Sequence, residues 1–432
     1  MRIRHPFAKE NQKIVIIVGG GFAGLAAANM LAEEPEVYVI LIDKRNHHLF
    51  QPLLYQVATG GLNASDIAVP IRSQFSKVSN VEVHMAQVEA VNVQESFITT
   101  ERNEILFDFL ILACGAHHSY FSNTEWAAFA PGLKTLEDAI DIRGRIFRAF
   151  ERAENELDLE KQRALLNFAI VGGGPTGVEL AGAIADVART VLIKDFKRIN
   201  PASARILLLE AGPKILSAFS EDLSRHARND LEKLGVEVRT GAKVEAITDY
   251  GLIIGGEFIN TYNVFWAAGV QAEKMNITPS VAMDAVNRIK VEKDFSIPGF
   301  PYCFVVGDMA TMQLENNRPL PGLAPVAMQA GKHAAKMIKS SLQGLAREPF
   351  HYVDKGLMAT IGKRKAISQY KSLKMTGYIA WLAWLFIHVY YLVGFKNRVF
   401  VIIQWAWSYV FSKRGARLIT GKESPSASST IS

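Results

Sequence analysis

Lys13-Ile14-Val15-Ile16-Ile17-Val18-Gly19-Gly20-Gly21-Phe22-Ala23-Gly24 forms one recognisable unit, and Phe168-Ala169-Ile170-Val171-Gly172-Gly173-Gly174-Pro175-Thr176-Gly177 repeats its pattern 153 residues later. Each stretch reads as an apolar strand, a turn stripped of side chains, and the start of an Ala/Leu-rich helix. Bare backbone lets a phosphate come close, and a helix N-terminus offers it N–H donors and a partial positive charge. A lone Gly-x-Gly-x-x-Gly can be a chance tight turn. Two of them, each between a strand and a helix, predict two dinucleotides held side by side.

Downstream of each turn a second apolar strand ends in an acid. Val37–Ile42 runs into Asp43, 24 residues after Gly19. Arg205–Leu209 runs into Glu210, 38 residues after Gly172, and an insertion around Arg189–Ala202, which contains Pro201, accounts for the extra length. A carboxylate at roughly 20 residues accepts hydrogen bonds from a ribose hydroxyl. At Glu210 it would also repel a 2′-phosphate, and the cation that follows it, Lys214, is four residues on, so NAD is expected over NADP.

Further apolar runs end in small residues: Phe109–Ala113 before Cys114-Gly115, Val264–Ala267 before Ala268-Gly269, and Tyr302–Val306 before Gly307-Asp308. Helical stretches alternate with them, among them Pro70–Asn80 and Glu137–Gln162. This alternation predicts an α/β fold with parallel sheets, built as two Rossmann-like domains. The first is expected over 1–120 and 270–345, the second over 121–269, and a C-terminal region over 346–432.

The chain has 432 residues and a formal net charge of +6, unevenly placed. Residues 355–432 hold twelve Lys/Arg against the single acid Glu423, while the remainder holds 36 basic against 41 acidic residues. A mildly acidic body with a strongly basic tail points to an anionic surface as the tail's partner; nothing points to nucleic acid. The two cysteines, Cys114 and Cys303, are far apart and form no Cys-x-x-Cys, which argues against a disulfide framework, a redox dithiol or a metal site. No apolar leader precedes the first strand, so the body is expected to face the cytoplasm.

Within the tail, Met375–Phe395 and Val399–Phe411 carry no Asp, Glu, Lys or Arg, and they hold four of the six tryptophans: Trp381, Trp384, Trp405 and Trp407. Basic clusters stand before, between and after them: Lys371/Lys374, Lys396/Arg398 and Lys413/Arg414/Arg417. A single spanning helix would carry Lys396 and Arg398 across the bilayer, whereas two helices lying in the interface leave all three clusters at anionic headgroups. The interfacial hairpin is the expectation; a spanning helix within 375–411 and a buried or dimer-forming hairpin are its alternatives. His388, alone in this aromatic run, reads as a satisfied or interfacial histidine before a proton donor. Ser424–Ser432 reads as a disordered tail.

Taken together, Gly19–Leu25, His48-Leu49-Phe50-Gln51-Pro52-Leu53-Leu54-Tyr55-Gln56-Val57-Ala58, Gly172–Leu180, Val306-Gly307-Asp308 and Ala324-Pro325-Val326-Ala327-Met328-Gln329 resemble the two-dinucleotide-binding-domain flavoproteins and, within them, the type II NADH dehydrogenases. The likeness spans about 13–415. It implies that Gly19, Gly20, Gly21, Gly24 and Asp43 hold the ADP half of FAD, that Lys44 and Val88 border its adenosine, and that Asp308 meets the ribityl or phosphate region. The residues alone allow Asp308 to be a helix N-cap instead. The likeness further implies that Gly172, Gly174, Gly177, Glu210 and Gly269 hold NADH, with Glu179 near the reacting rings as a positioning or charge-tuning group. A carboxylate there is equally explained by the helix dipole.

Gln329 keeps the second glutamine of the family's quinone-side motif, where it could meet a quinone carbonyl or the flavin edge. Pro325 replaces the first glutamine, and Cys114 stands where a Thr is common; both are departures. The implied activity is hydride transfer from NADH to FAD, then two electrons to a membrane quinone, without proton pumping, at the cytoplasmic face of the membrane and with a homodimer possible. The rivals are a sulfide:quinone reductase, which needs cysteines beside the flavin, a soluble reductase serving a protein such as ferredoxin or rubredoxin, and a non-enzymatic flavin-stabilised sensor or scaffold.

Overall fold

The computed structural model describes residues 2–3, 7–314, 319–411 and 416–419. The tail Ser424–Ser432 and the basic pair Lys413/Arg414 lie outside the described residues. The chain divides into two compact units: residues 1–49, 68–117 and 270–354 form one, and residues 50–67, 118–269 and 355–432 form the other.

The first unit is built on a six-stranded sheet in the order Ser296–Ile297, Phe300–Val305, Phe109–Leu112, Lys13–Val18, Val37–Asp43, Val81–Met85. Every pairing is parallel except that of the edge strand Ser296–Ile297. Its central strands are continuous Val/Ile/Leu runs because both faces are covered: Val15, Ile16, Ile17, Ile40 and Leu41 have no accessible surface. Burying each such side chain is worth about 1.5–3 kcal/mol. On one face the helix Phe22–Leu31 packs on the helix Ala324–Leu342. Their approach depends on Gly331, where a Cβ would sit 2.0 Å from the Ala23 carbonyl oxygen. A second sheet runs in the order Arg2–Ile3, Glu104–Leu106, Phe97–Thr100, Val88–Asn92, Asn276–Thr278.

The second unit repeats the plan with four parallel strands in the order Val236–Thr240, Arg205–Glu210, Asn167–Val171, Asn263–Trp266. The helix Pro175–Asp186 follows its glycine turn and continues into a π-helical turn, Val187–Val191. Residues 355–411, expected as a region apart, belong to this unit. They form an antiparallel sheet of Leu357–Thr360, Ala366–Tyr370 and Leu373–Thr376, and then the helices Gly377–Tyr391 and Phe395–Phe411. Gly394, at φ +88°, separates the two helices.

Two helical expectations are corrected. Pro70–Asn80 holds only the short helix Ile71–Gln74, because the hydroxyls of Ser73 and Ser76 bond back to the carbonyls of Pro70 and Ser73 and compete with the helical ladder. Glu137–Gln162 is two helices, Leu136–Asn155 and Leu159–Leu165. The Asp158 side chain accepts from the N–H groups of Glu160 and Lys161 and so starts a new helix.

Candidate dinucleotide sites

Both glycine turns close in the same way. Gly19 and Gly172 take φ of +105° and +114°, a region closed to residues with a Cβ. A Cβ on Gly24 would lie 1.8 Å from the Gly19 carbonyl oxygen, and one on Gly177 would lie 1.9 Å from that of Gly172, so each helix is pressed onto its strand. At Gly21 and Gly174 a Cβ would meet nothing within 4 Å. These are the open sides, where a pyrophosphate can reach the N–H groups of the first helical turn.

The acids at the strand ends hold the turns themselves. Asp43 Oδ2 accepts from the Gly20 N–H at 2.6 Å and Oδ1 from the Arg45 N–H at 2.7 Å. Glu210 Oε2 accepts from the Gly173 N–H at 2.7 Å and Oε1 from the Gly212 N–H at 2.6 Å. Each carboxylate is thereby fixed at the end of its strand with further lone pairs to offer a ribose. Lys214 is turned away to the Phe219 carbonyl oxygen, at 2.9 Å, which leaves Glu210 the defining charge of that edge.

His48 was not picked out from the sequence as a site residue. It is 2% exposed, its Nδ1 lies 3.0 Å from the Gly20 carbonyl oxygen, and its ring meets Phe22 edge-on at 5.1 Å. Burial lowers its pKa, outweighing the Gly20 carbonyl and the charge of Asp43, so the ring is neutral. A carbonyl only accepts, which assigns the proton to Nδ1 and leaves a lone pair on Nε2. That Nε2 is buried without a hydrogen-bond partner among the described residues. A bare cradle closed on one side by an orphaned acceptor fits a polyhydroxylated dinucleotide such as FAD. The one sequence signal for His48 is its place at the head of the His48–Ala58 stretch, which gives it no role of its own.

The other expected residues are placed as follows. Lys44 Nζ pairs with Glu273 at 3.0 Å, and Val88 is buried in the second sheet of the first unit. Asp308 lies in the short turn Gly307–Met309, whose cap position is Val306, so Asp308 is not the N-cap. Gly269, at φ +76°, lies against Ser119 and Phe121, where a Cβ would come within 3.0 Å of both. Gln329 is already engaged by its own unit. Its Nε2 donates to the carbonyls of Pro325 and Val353, and its Oε1 accepts from the Val353 N–H at 3.0 Å. Both amide hydrogens are spent there, so as placed Gln329 has no donor left for a quinone carbonyl.

Glu179 lies one turn into the helix Pro175–Asp186. Gly182 lets that helix approach the C-terminal sheet, where a Cβ would fall 2.7 Å from the Gly362 nitrogen. The carboxyl is enclosed although the residue keeps some surface, and this desolvation pushes its pKa up to about 8 against the one bond that favours the ion, Thr360 N–H to Oε1 at 3.3 Å. His388 donates from Nδ1 to the Trp384 carbonyl at 2.7 Å and stacks on that indole at 4.2 Å; burial lowers its pKa to about 4. It is the satisfied histidine expected from its surroundings. Burial pushes the Cys114 thiol up to about 12, and that of Cys303 up as well, so neither is a ready nucleophile.

Residues 13–331 match the family described as pyridine nucleotide-disulphide oxidoreductase. Over 425 residues, 95% of this chain and 90% of the other, the sequence is 40% identical to the type II NADH:quinone oxidoreductase Ndh of Mycobacterium tuberculosis. Among solved structures, NDH2 from Plasmodium falciparum in complex with NADH superposes with a TM-score of 0.86 at 19% identity, over 95% of this chain and 100% of that one. The sulfide:quinone oxidoreductase of Aquifex aeolicus superposes with a TM-score of 0.71 at 17% identity, over 89% and 91%. Those two likenesses speak for the shared fold. On the match along 13–331 and the identity over nearly its whole length, this chain belongs to the pyridine nucleotide-disulphide oxidoreductases and, within them, to the type II NADH:quinone oxidoreductases.

Proposed function

We propose that this chain oxidises NADH with the help of FAD and delivers two electrons to a quinone without pumping protons, the first glycine turn holding FAD and the second NADH. The observation that carries the reading is the pair of matching cradles, each with an open glycine and a carboxylate fixed on its turn. When bound, FAD supplies the redox chemistry, accepting a hydride and releasing electrons to the quinone.

The protein's part is placement and charge. Gly19, Gly20, Gly21 and Gly24 leave backbone N–H groups open to one pyrophosphate, with Asp43 and His48 Nε2 as acceptors for sugar hydroxyls, Lys44 and Val88 beside the adenosine, and Asp308 toward the ribityl end. Gly172, Gly174, Gly177 and Gly269 do the same for the nicotinamide dinucleotide, and Glu210 accepts from its ribose and turns away a 2′-phosphate. Glu179 enters turnover protonated at neutral pH. Thr360 N–H occupies Oε1, so the proton sits on Oε2, and the site gains a hydrogen-bond donor with no negative charge beside the reacting ring. Gln329 serves by bracing the chain at Val353.

The two C-terminal helices would seat the enzyme on the cytoplasmic face of the membrane. Ile379, Phe386 and Tyr390 are 68%, 74% and 63% exposed, and the next helix exposes Phe400, Ile402, Ile403 and Trp407. So large an apolar surface on a soluble monomer calls for a cover, and Lys371 and Arg398 suit anionic headgroups. A second copy of the chain is the other cover, giving a homodimer. Among the described residues no helix is long and apolar enough to cross a membrane. Neither helix carries an Asp or Glu from which a transmembrane proton relay could be built.

The sulfide reading loses support from the two thiols, half-buried Cys114 and buried Cys303, both held protonated. Parallel assays decide the matter: NADH with a soluble quinone, sulfide with the same quinone, and NADH with ferredoxin. NADH–quinone turnover that far exceeds the other two supports the proposal; turnover confined to sulfide or ferredoxin refutes it.

A further inference from the structure

Trp405, on the second C-terminal helix, is joined to Glu179 through four hydrogen bonds. The Trp405 indole Nε1 is 2.7 Å from Gln56 Oε1, Gln56 Nε2 is 3.1 Å from the Tyr55 hydroxyl, that hydroxyl is 2.9 Å from Thr360 Oγ1, and the Thr360 N–H reaches Glu179 Oε1 at 3.3 Å. The direction of three of these bonds follows from donor chemistry. An indole N–H only donates, so Gln56 presents its carbonyl to Trp405 and its NH₂ to Tyr55. The Tyr55 oxygen therefore accepts from Gln56, while either hydroxyl of the Tyr55–Thr360 pair can be the donor. The middle of this series is buried: Tyr55 and Thr360 are among the enclosed residues, and Trp405 packs on Trp384 at 5.5 Å. Cutting the link between Tyr55 and Thr360 takes that partner from the buried Thr360 hydroxyl and loosens the tie beyond it.

We infer that Tyr55 and Gln56 are positioning residues that tie the helix Phe395–Phe411 to the strand Leu357–Thr360, so that the seating of the C-terminal hairpin fixes where the Glu179 carboxyl stands. None of the intervening atoms carries a proton onward, because the last link is a backbone amide; the series transmits position. It gives the otherwise unused Tyr55-Gln56 pair of the His48–Ala58 stretch a role, and it makes quinone turnover responsive to how the hairpin is held. The inference rests on the proposed part of Glu179 in turnover.

Links in series predict that two cuts do no more harm than one. Tyr55→Phe keeps the ring and removes two links, those to Gln56 and Thr360; Trp405→Phe keeps an aromatic side chain and removes the link to Gln56; Thr360→Val, which keeps the amide bond to Glu179, is the second variant if Tyr55→Phe folds poorly. The full-length protein is assayed for NADH oxidation with a soluble quinone, and thermal melting is followed alongside. Each single variant is expected to lower kcat about fivefold with KM for NADH unchanged, and the double variant also about fivefold. A double variant that loses about 25-fold, or losses that fall on KM for NADH, would overturn the inference and leave two local packing defects. Glu179→Leu, which removes the donor, is run in the same series. If it leaves kcat unchanged, the part assigned to Glu179 fails; if it lowers kcat while the Tyr55 and Trp405 variants do not, only the relay fails.

Discussion

At the first turn the Gly20 carbonyl is held by a side chain, His48 Nδ1 at 3.0 Å; at the second the equivalent Gly173 carbonyl is held by the backbone N–H of Leu216 at 2.7 Å. All else nearly coincides: the positive φ of the first glycine, the helix pressed onto the strand, the open third glycine, and the carboxylate on the N–H of the second. An amide spends its single donor and is finished, so Leu216 leaves no orphaned side-chain atom at the second turn. An imidazole has a second nitrogen, and His48 Nε2 is buried unsatisfied. Such a group costs about 1–3 kcal/mol until something bonds to it. A cradle whose orphaned acceptor is met by its ligand suits a resident cofactor, and one without such an orphan suits a substrate that comes and goes each turnover.

The largest effect is expected where the shared design is broken. Gly24→Val places side-chain atoms against the Gly19 carbonyl, 1.8 Å from even a bare Cβ, and forces the helix off its strand. Its affinity for FAD should drop on the order of a hundredfold or more; titration of the apo-protein with FAD, followed by flavin fluorescence, checks this. Unchanged affinity would mean that the first turn is not the FAD cradle.

His48 probes where the two turns differ. His48→Leu removes the acceptor and leaves Gly20 unheld, and it should weaken FAD about tenfold, one lost buried bond, while the KM for NADH stays as it was. A matching loss in NADH affinity would erase the distinction drawn between the cradles. Of similar or smaller size is the effect of Glu210→Gln, which removes the charge facing a 2′-phosphate. The preference for NADH over NADPH, as a ratio of kcat/KM, should fall by about tenfold or less.

The smallest effect concerns stability. Glu179 has a pKa raised to about 8 in the folded chain, against an ordinary carboxylate value when unfolded. The folded state therefore holds the proton more firmly. The group's contribution is complete below the unfolded value and is lost as pH climbs toward 8. Glu179→Gln should melt near wild type at pH about 4 and several degrees above it at pH about 9. Equal melting temperatures at the higher pH would deny the carboxyl its enclosed setting.

Much of this was readable before the fold. The strand Lys13–Val18 and the acid ends Asp43 and Glu210 fell where runs of Val, Ile and Leu and the chemistry of phosphate turns put them, because these are local: a buried parallel strand is apolar throughout and a phosphate turn must be glycine. What stayed hidden was long-range. His48 earns its place from Gly20, 28 residues away, and Gln329 is committed to Val353, 24 residues on. Tyr55 meets Thr360 across 305 residues, which no spacing rule reaches. Nor did composition show that 50–67 and the C-terminal helices would fold with the second glycine turn.

Colour tests the two-cradle account most directly. Wild-type protein should be purified yellow, bleach on adding NADH under anaerobic conditions, and regain its colour with quinone. Gly177→Val, broken only at the second turn, should stay yellow and fail to bleach at NADH concentrations that bleach the wild type. Wild-type protein that is colourless even after incubation with FAD, or a Gly177→Val variant that bleaches as readily as wild type, would contradict it.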